Sequence, residues 1–151
     1  MRLSTYTDYT LRTLMYLAVN ADRQATIAEI ARTWSISETH LMKIVHQLGV
    51  AGDIETIRGR NGGLRLRKPA AGINLGTVVR RTEVDMDLVT CFGDAASCAI
   101  SEDCVLQAVL HEALTAFLAV LDRYTLADLV APRAKLAALL GIEPAEPRMA
   151  G

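Results

Sequence analysis

One stretch in the first half of this 151-residue chain constrains its fold more than any other. Thr26-Ile-Ala-Glu29 has the sequence of a capping box, which predicts a short helix that runs to about Trp34. Ser37 is a good N-cap residue, and a further helix is predicted from there to about Leu48. Two short helices joined by a turn of about four residues indicate a helix-turn-helix.

A glycine-rich basic segment follows the second of these helices. Ile54 and Ile57 precede its turn, and apolar and basic residues alternate in Leu64-Arg-Leu-Arg67 after it. This alternation predicts a β-hairpin, with Asn61-Gly62 supplying the positive φ angles of the turn. A hairpin that follows a helix-turn-helix is the wing of a winged-helix domain.

The second half of the chain is predicted to be helical. A short helix is expected over residues 75–82 and a long helix over residues 104–122, whose apolar residues cover more than one face. In a chain of this size, the second apolar face favours packing against a partner subunit. Pro132 and Gly141 are typical of the start and the end of a last helix. The predicted fold class is mainly α: a winged helix-turn-helix DNA-binding domain plus a long C-terminal dimerisation helix, in a homodimer.

Charge is divided unevenly between the two halves. Residues 1–82 hold 12 Lys and Arg against 6 Asp and Glu, whereas residues 83–151 hold 4 against 11. The basic half is expected to meet a polyanion such as double-stranded DNA. The N-terminus has no apolar signal core, and the apolar stretches are interrupted by charges, which indicates a cytoplasmic protein that does not enter a membrane. With no phosphate loop or nucleophile–base pair recognisable, an enzyme is not expected.

The predicted second helix of the helix-turn-helix is the part that enters the major groove, where its early exposed residues meet base edges. Lysine there can donate to guanine or phosphate, and arginines at the wing tip can reach phosphate or the minor groove. A merely solvated basic surface is the alternative interpretation. The candidate DNA-binding residues are Ser37, Thr39, His40, Lys43, Arg58, Arg60 and Asn61.

The three cysteines of the chain lie within fourteen residues, with the spacing Cys-x6-Cys-x5-Cys: Cys91, Cys98 and Cys104. Three thiolates on one turn-rich loop suit a soft metal centre, and an iron–sulfur cluster would need a fourth ligand from elsewhere. The alternatives are zinc bound by the thiolates and His111, a thiol redox switch, or inert thiols. An odd number of cysteines argues against a disulfide framework and for a reducing cytosol.

Several segments resemble the dimeric winged-helix iron–sulfur repressor family that includes NsrR, IscR and RirA. The matching segments are Met-Arg-Leu-Ser with Thr7-Asp8-Tyr9, Leu14-Met-Tyr-Leu17, the wing from Arg58 to Leu66, the three cysteines, and Tyr124-Thr-Leu-Ala-Asp-Leu-Val130. The resemblance covers about residues 1–140 and implies a homodimeric repressor of a palindromic operator.

The resemblance also bears on the fourth cluster ligand. IscR-like members have a histidine three residues after the last cysteine, where this chain has Gln107, so a 2Fe-2S site of that type is disfavoured. In nitric-oxide-sensing members, an aspartate in the first helix of the other subunit completes a 4Fe-4S cluster, and Asp8 stands at that position here. The implied cluster ligands are Cys91, Cys98, Cys104 and Asp8 of the partner subunit.

The function that this implies is a repressor that senses nitric oxide through a 4Fe-4S cluster and releases operator DNA on nitrosylation. A 2Fe-2S cluster is the other cofactor left open. One alternative is an iron-responsive repressor of the RirA type, whose members usually have asparagine at the position of Asp8. A second alternative is a zinc or thiol redox regulator without a cluster.

These interpretations divide the chain into four parts. The winged helix-turn-helix domain is expected over residues 1–82 and the cluster-binding loop over residues 83–104. The dimerisation helix and the C-terminal helix are expected over residues 105–141. Residues 142–151, which contain two prolines, are expected to form a disordered tail.

Overall fold

The structure is a computed structural model of the chain, and it describes residues 2–93, 100 and 104–143. It confirms a mainly helical fold with a two-stranded antiparallel sheet. The elements in chain order are α1 (Thr5–Val19), α2 (Ile27–Trp34), α3 (Glu38–Val50), β1 (Ile54–Ile57), β2 (Gly63–Leu66), α4 (Leu75–Thr82), α5 (Val105–Asp122), α6 (Leu126–Leu129) and α7 (Arg133–Leu140). A 3₁₀ turn at Thr90–Phe92 carries the first cysteine.

The helix-turn-helix begins at the two predicted caps. The Thr26 hydroxyl accepts from the backbone N–H of Glu29 at 3.2 Å, and the Glu29 carboxylate accepts from the N–H of Thr26 at 2.6 Å. The Ser37 hydroxyl accepts from the N–H of His40 at 3.3 Å. Between the helices, Ser35 ends α2 in the left-handed conformation with φ 54°. The predicted helix-turn-helix is therefore confirmed, and each of its two helices begins at a side-chain cap.

The wing is the predicted hairpin, with Ile57 paired to Gly63 next to the loop that joins the two strands. The prediction that Asn61-Gly62 supplies the positive φ angles was wrong, because the wing residue at positive φ is Gly59, with φ 109°. The loop between the strands is longer than the two-residue turn that Asn-Gly favours, so its left-handed residue lies elsewhere. Gly62 is required for a different reason, since a Cβ there would lie 2.3 Å from the Ile57 carbonyl oxygen.

The hydrophobic core lies in the winged-helix part of the chain. α1, α2, α3, β1, α4 and α6 each contribute side chains that are at most 2% exposed. They include Leu14, Ile30, Leu41, Ile44, Leu48, Ile54, Val78 and Leu126. Ile142, the first residue of the predicted tail, is 7% exposed and packs with this core. The rest of the predicted tail, residues 144–151, lies outside the described residues.

The long helix α5 packs differently, because none of its 18 residues is buried within the single chain. Val105, Leu106 and Val109 are 75%, 63% and 54% exposed. Of the described residues, α5 is the one helix that is long and apolar enough to cross a membrane by length and composition. The sequence had predicted no membrane-spanning helix, so this property of α5 was not expected. A helix that packs against protein passes the same test, so this property does not decide between a lipid and a protein neighbour.

One end of α5 is fixed to α4. Arg80 donates two hydrogen bonds to the Asp122 carboxylate, at 2.6 and 2.7 Å, and the Asn74 side chain donates to the Asp122 carbonyl at 2.8 Å. A Cβ at Gly76 would lie 1.9 Å from Asp122 Oδ1, so only glycine admits the carboxylate there. The cysteine segment joins the other end of the helix, about 27 Å away at 1.5 Å per residue.

Candidate functional site

The predicted DNA-binding residues lie on the surface of α3 and at the tip of the wing. All seven are exposed: Ser37, Thr39, His40, Lys43, Arg58, Arg60 and Asn61. Ser37 has a second task, because its hydroxyl also caps α3. Within the described part of the chain, Lys43, Arg58 and Arg60 form no ion pair with a carboxylate. Their charges are therefore available to a phosphate backbone.

A buried carboxylate between α3 and β1 orients the wing. The side chain of Asp53 is 4% exposed and pairs with Lys68 Nζ at 2.8 Å and with the Arg81 guanidinium at 2.5 Å. A buried carboxylate is costly unless it is paired, so both cations are held against it. Since Lys68 follows β2 and Arg81 lies on α4, Asp53 ties the wing to α4. No sequence pattern singled out Asp53, because Gly52-Asp53 after a helix indicates only a turn.

Two of the three predicted cysteine ligands belong to segments that both contact Gln107, in the first turn of α5. Cys91 and Cys104 are both half-buried, and Cys98 lies outside the described residues. Cys104 is the N-cap of α5, and its Sγ accepts from the backbone N–H of Gln107 at 3.4 Å. The Gln107 side chain donates from Nε2 to the Cys91 carbonyl at 3.0 Å. Gln107 therefore contacts both cysteine-bearing segments, which no local sequence pattern had indicated.

His111, the candidate zinc ligand, packs against an aromatic ring. Its ring centroid lies 5.6 Å from that of Phe92, and the two planes are inclined by 63° in an edge-to-face arrangement. In the part of the chain that the structure describes, no three His, Cys, Asp or Glu side chains form a group that would hold a metal ion. Any group that includes Cys98 falls outside that statement.

Asp8, the predicted ligand to the partner's cluster, lies on the surface of α1. Its side chain is 45% exposed and pairs with Arg12 Nε at 3.0 Å, one turn along the helix. The Arg12 guanidinium carbon also lies 5.4 Å from the ring centroid of Trp34, at the end of α2. A short path of contacts thus leads from Asp8 to the turn that precedes α3.

The start of α1 is tied to the end of α4. The backbone N–H of Ser4 donates to Glu83 Oε1 at 2.7 Å, and the hydroxyls of Thr7 and Thr82 lie 2.8 Å apart. Burial raises the pKa of Glu83, but hydrogen bonds from Thr7 and Ser4 outweigh this and lower the pKa below its usual value. Glu83, the first residue of the predicted cysteine loop, is thereby fixed to the start of α1, the helix that carries Asp8.

The described residues fit an iron–sulfur cluster in ligand type. Cys91 and Cys104 bear soft, half-buried thiols at one end of a helix. The Cys104 sulfur accepts a backbone N–H, a contact that tunes the potential of cluster-bound sulfur. The Gln107 side-chain N–H group donates to the Cys91 carbonyl, so Gln107 already has a structural role beside both cysteines.

Comparison with known proteins agrees with this architecture. Residues 3–132 match the family described as Rrf2, iron-dependent transcriptional regulator. Proteins named HTH-type transcriptional regulator NsrR are 53% identical to the chain in Geobacillus kaustophilus and 50% identical in Bacillus subtilis. Each match spans 142 residues, 93% of this chain and 97% of the relative. Protein aau3 of Rhizobium meliloti is 45% identical over 150 residues, 98% of this chain and 97% of that protein.

Solved structures show the same fold. CymR (YrzC), the global cysteine regulator of B. subtilis, has a TM-score of 0.71 and 27% identity, with 87% of this chain and 98% of that chain covered. T. potens IscR has a TM-score of 0.70 over 99% of this chain and 96% of that chain, at an identity of 22% that shows the fold alone.

The winged-helix fold and the resemblance to NsrR are thus confirmed. The NsrR relatives are named as HTH-type transcriptional regulators, so this chain is a DNA-binding regulator and not an enzyme. Because a family match over residues 3–132 and half-identical relatives over nearly the whole chain agree, the chain belongs to the Rrf2 family of transcriptional regulators.

Proposed function

We propose that the chain is a homodimeric, cytoplasmic transcriptional repressor that senses nitric oxide through a 4Fe-4S cluster. The observation that carries the proposal is that Gln107, at the start of α5, is hydrogen-bonded both to the Cys91 carbonyl and to the Cys104 sulfur. It occurs in a chain that is about half identical to regulators named NsrR. Gln107 is not the histidine that an IscR-like 2Fe-2S site uses, so the fourth ligand is sought in the other subunit.

The ligands of the proposed cluster are Cys91, Cys98, Cys104 and Asp8 of the partner subunit. Three thiolates are soft ligands, whereas a carboxylate is a hard and weakly held one. When bound, the cluster supplies an iron site that reacts with a small diatomic such as nitric oxide. Asp8 suits the fourth position because its side chain is 45% exposed on α1 and, among the described residues, forms one ion pair at the surface.

The contacts of Asp8 offer a route from the cluster to the DNA-binding surface. One carboxylate oxygen of Asp8, Oδ1, pairs with Arg12 at 3.0 Å, and coordination of the partner's cluster would compete with this pair. Arg12 also contacts Trp34, whose helix α2 leads directly into α3. Loss of the ligand would return Asp8 to Arg12 and change the contacts beside the recognition helix. Such an exchange provides the two-state element that a switch requires.

The proposed dimer rests on the exposed apolar residues of α5. Large apolar side chains at both ends of the helix are 44–75% exposed: Val105, Leu106, Val109 and Val120. An apolar stripe of that length on a single chain marks an interaction surface. A symmetric pair of chains would present two copies of α3, which a palindromic operator requires to lie about one DNA turn apart.

The first test is anaerobic native mass spectrometry and absorption of the purified protein, with operator binding measured at fixed salt before and after stoichiometric nitric oxide. We expect a 4Fe-4S mass per subunit, rapid reaction with nitric oxide and weaker operator binding afterwards. Equal operator affinity in both states would overturn the proposal. A cluster that ignores nitric oxide but is lost on iron chelation would favour the iron-responsive alternative. Zinc without iron or sulfide would favour the zinc or thiol alternative.

The second test replaces the proposed fourth ligand. Asp8→Asn keeps the size of the side chain and removes its charge, so we expect faster cluster loss and a changed response to nitric oxide. Asp22→Asn is the matched control, since Asp22 is also an exposed aspartate paired with an arginine. An Asp8→Asn protein that behaves like the wild type would point to the iron-responsive alternative.

A further inference from the structure

The 3₁₀ turn that carries Cys91 is docked on α5 at two points. Gln107 Nε2 donates to the Cys91 carbonyl at 3.0 Å. One helical turn further on, His111 contacts the ring of Phe92, the residue after Cys91. Residues four apart lie on the same face of a helix, so the two contacts form one continuous docking face.

We infer that Gln107 and His111 are positioning residues that hold the Cys91 turn against α5 before any cluster or metal binds. This inference rests on the proposed cysteine-ligated site and deepens it. Neither side chain is a ligand in this arrangement. Gln107 uses its amide on a backbone carbonyl, and His111 uses its ring on another ring.

The docking matters because Cys91 and Cys104 lie on separate elements of the structure. Cys104 is fixed by its place as the N-cap of α5, with its Sγ on the N–H of Gln107. Cys91 belongs to a separate short turn, and its backbone is joined to α5 by the Gln107 side chain across sixteen residues of sequence. A free Cys91 turn would lose conformational entropy each time a metal centre formed. Docking it in advance reduces that cost, so metal affinity rises without any new metal–ligand bond.

The chemistry of Gln107 makes the docking specific. A backbone carbonyl can only accept, so the side chain opposite it has to donate. Methionine has nearly the same length as glutamine but no donor, and glutamate has the same shape with an acceptor in place of the donor. Both changes therefore remove the hydrogen bond to Cys91 while the backbone N–H of residue 107 remains available to Cys104.

The test is a titration of the anaerobic, full-length apoprotein with Co²⁺ in the presence of a competing chelator. Thiolate-to-cobalt absorption measures both the affinity and the number of thiolates bound. Removing groups that orient metal ligands typically costs 10–100-fold in affinity, and we expect a loss of about that size for Gln107→Met. We also expect a weaker charge-transfer band per cobalt, because Cys91 leaves the site. Gln47→Met, the same change on the exposed surface of α3, is the control and should titrate like the wild type.

His111 gives an independent comparison. His111→Ala removes the ring contact and should weaken cobalt binding, by less than Gln107→Met. His111→Phe keeps an edge-to-face ring pair with Phe92 and should restore wild-type affinity. Equal affinity and equal absorption for Gln107→Met and the wild type would overturn the inference. So would a His111→Phe protein that binds cobalt as weakly as His111→Ala.

The outcome is separable from the proposed function. Cobalt binding by the thiols requires neither iron nor nitric oxide, so the titration tests the docking face even if no 4Fe-4S cluster assembles. Conversely, if Gln107→Met binds cobalt just as the wild type does, the docking inference is ruled out and the nitric oxide proposal is unaffected. If Gln107→Met fails to fold by circular dichroism, Gln107→Glu carries the same test, with the same loss expected and the same wild-type titration overturning it.

Discussion

Helices α3 and α5 both carry apolar faces, but of the two only α3 buries its face within the single chain. In α3, Leu41, Ile44 and Leu48 are at most 2% exposed, whereas no residue of α5 is buried. The DNA-binding part can therefore reach its structure from one chain. α5 and the cysteine turn that docks on it leave apolar surface that a second chain would cover.

This difference separates two kinds of stability. The winged-helix core contributes free energy of folding that does not depend on protein concentration. The free energy available from α5 depends on what covers it, so mass action controls it. A regulator arranged in this way can alter the surroundings of α5 without unfolding the winged-helix core.

The largest effect is expected in the core that one chain completes. Leu41→Ala removes a fully buried side chain and should lower the free energy of unfolding by about 2–5 kcal/mol. Val50→Ala, on the same helix but 72% exposed, should change it by less than about 0.5 kcal/mol. Urea unfolding of both variants checks the comparison. Equal losses would mean that α3 does not complete a core within the chain.

The free energy of unfolding should be nearly as sensitive to the contact between α4 and α5. Gly76→Ala places a methyl group against the Asp122 carboxylate and should cost about 1–3 kcal/mol, because α4 and α5 have to separate. Gly49→Ala is the control, since a Cβ there meets nothing within 4 Å. Thermal unfolding of the two variants measures the difference. A Gly76→Ala protein as stable as the control would show that α5 is not held through Asp122.

A change on the exposed face of α5 should act on association rather than on folding. Leu106→Asp should raise the dissociation constant of the proposed dimer at least about tenfold, which corresponds to about 1.4 kcal/mol. Sedimentation velocity over a range of concentrations measures this constant. Leu139→Asp, at a leucine of α7 that is 73% exposed, is the matched control. The comparison between the two parts fails if Leu106→Asp leaves the association unchanged.

The smallest effect concerns Glu83, at the boundary between the two parts. Its pKa is lowered from 4.5 in the folded chain, so its ionised form stabilises the fold above about pH 4.5. That contribution is lost as the pH falls through the lowered pKa, where the folded carboxylate takes up a proton. Glu83→Gln should therefore reduce the loss of stability below pH 4.5, by less than about 1 kcal/mol because the group is partly exposed. Unfolding followed from pH 6 to pH 3 measures the slope, and an unchanged slope would contradict this account.

Sequence patterns predicted the local structure well, since caps and turns depend on neighbouring residues. Thr26, Ser37 and Gly141 each mark the helix end that the structure shows. The wing turn is the exception, because loop length, and not the Asn-Gly pair, decided that Gly59 takes the positive φ. The DNA-binding residues and the cluster ligands remain predictions. The structure places the former on the surface and two of the cysteines at the start of α5.

What the sequence determined by itself is the order of the helices, the wing and the cysteine loop, because each depends on interactions within a few residues. The tertiary structure decided which distant residues meet. It paired Asp53 with Arg81 across 28 residues, and it brought Gln107 to the Cys91 carbonyl. It also decided that α5 stays uncovered in a single chain. These contacts follow from how helices pack against a shared core, and that packing depends on the whole chain and not on any one segment.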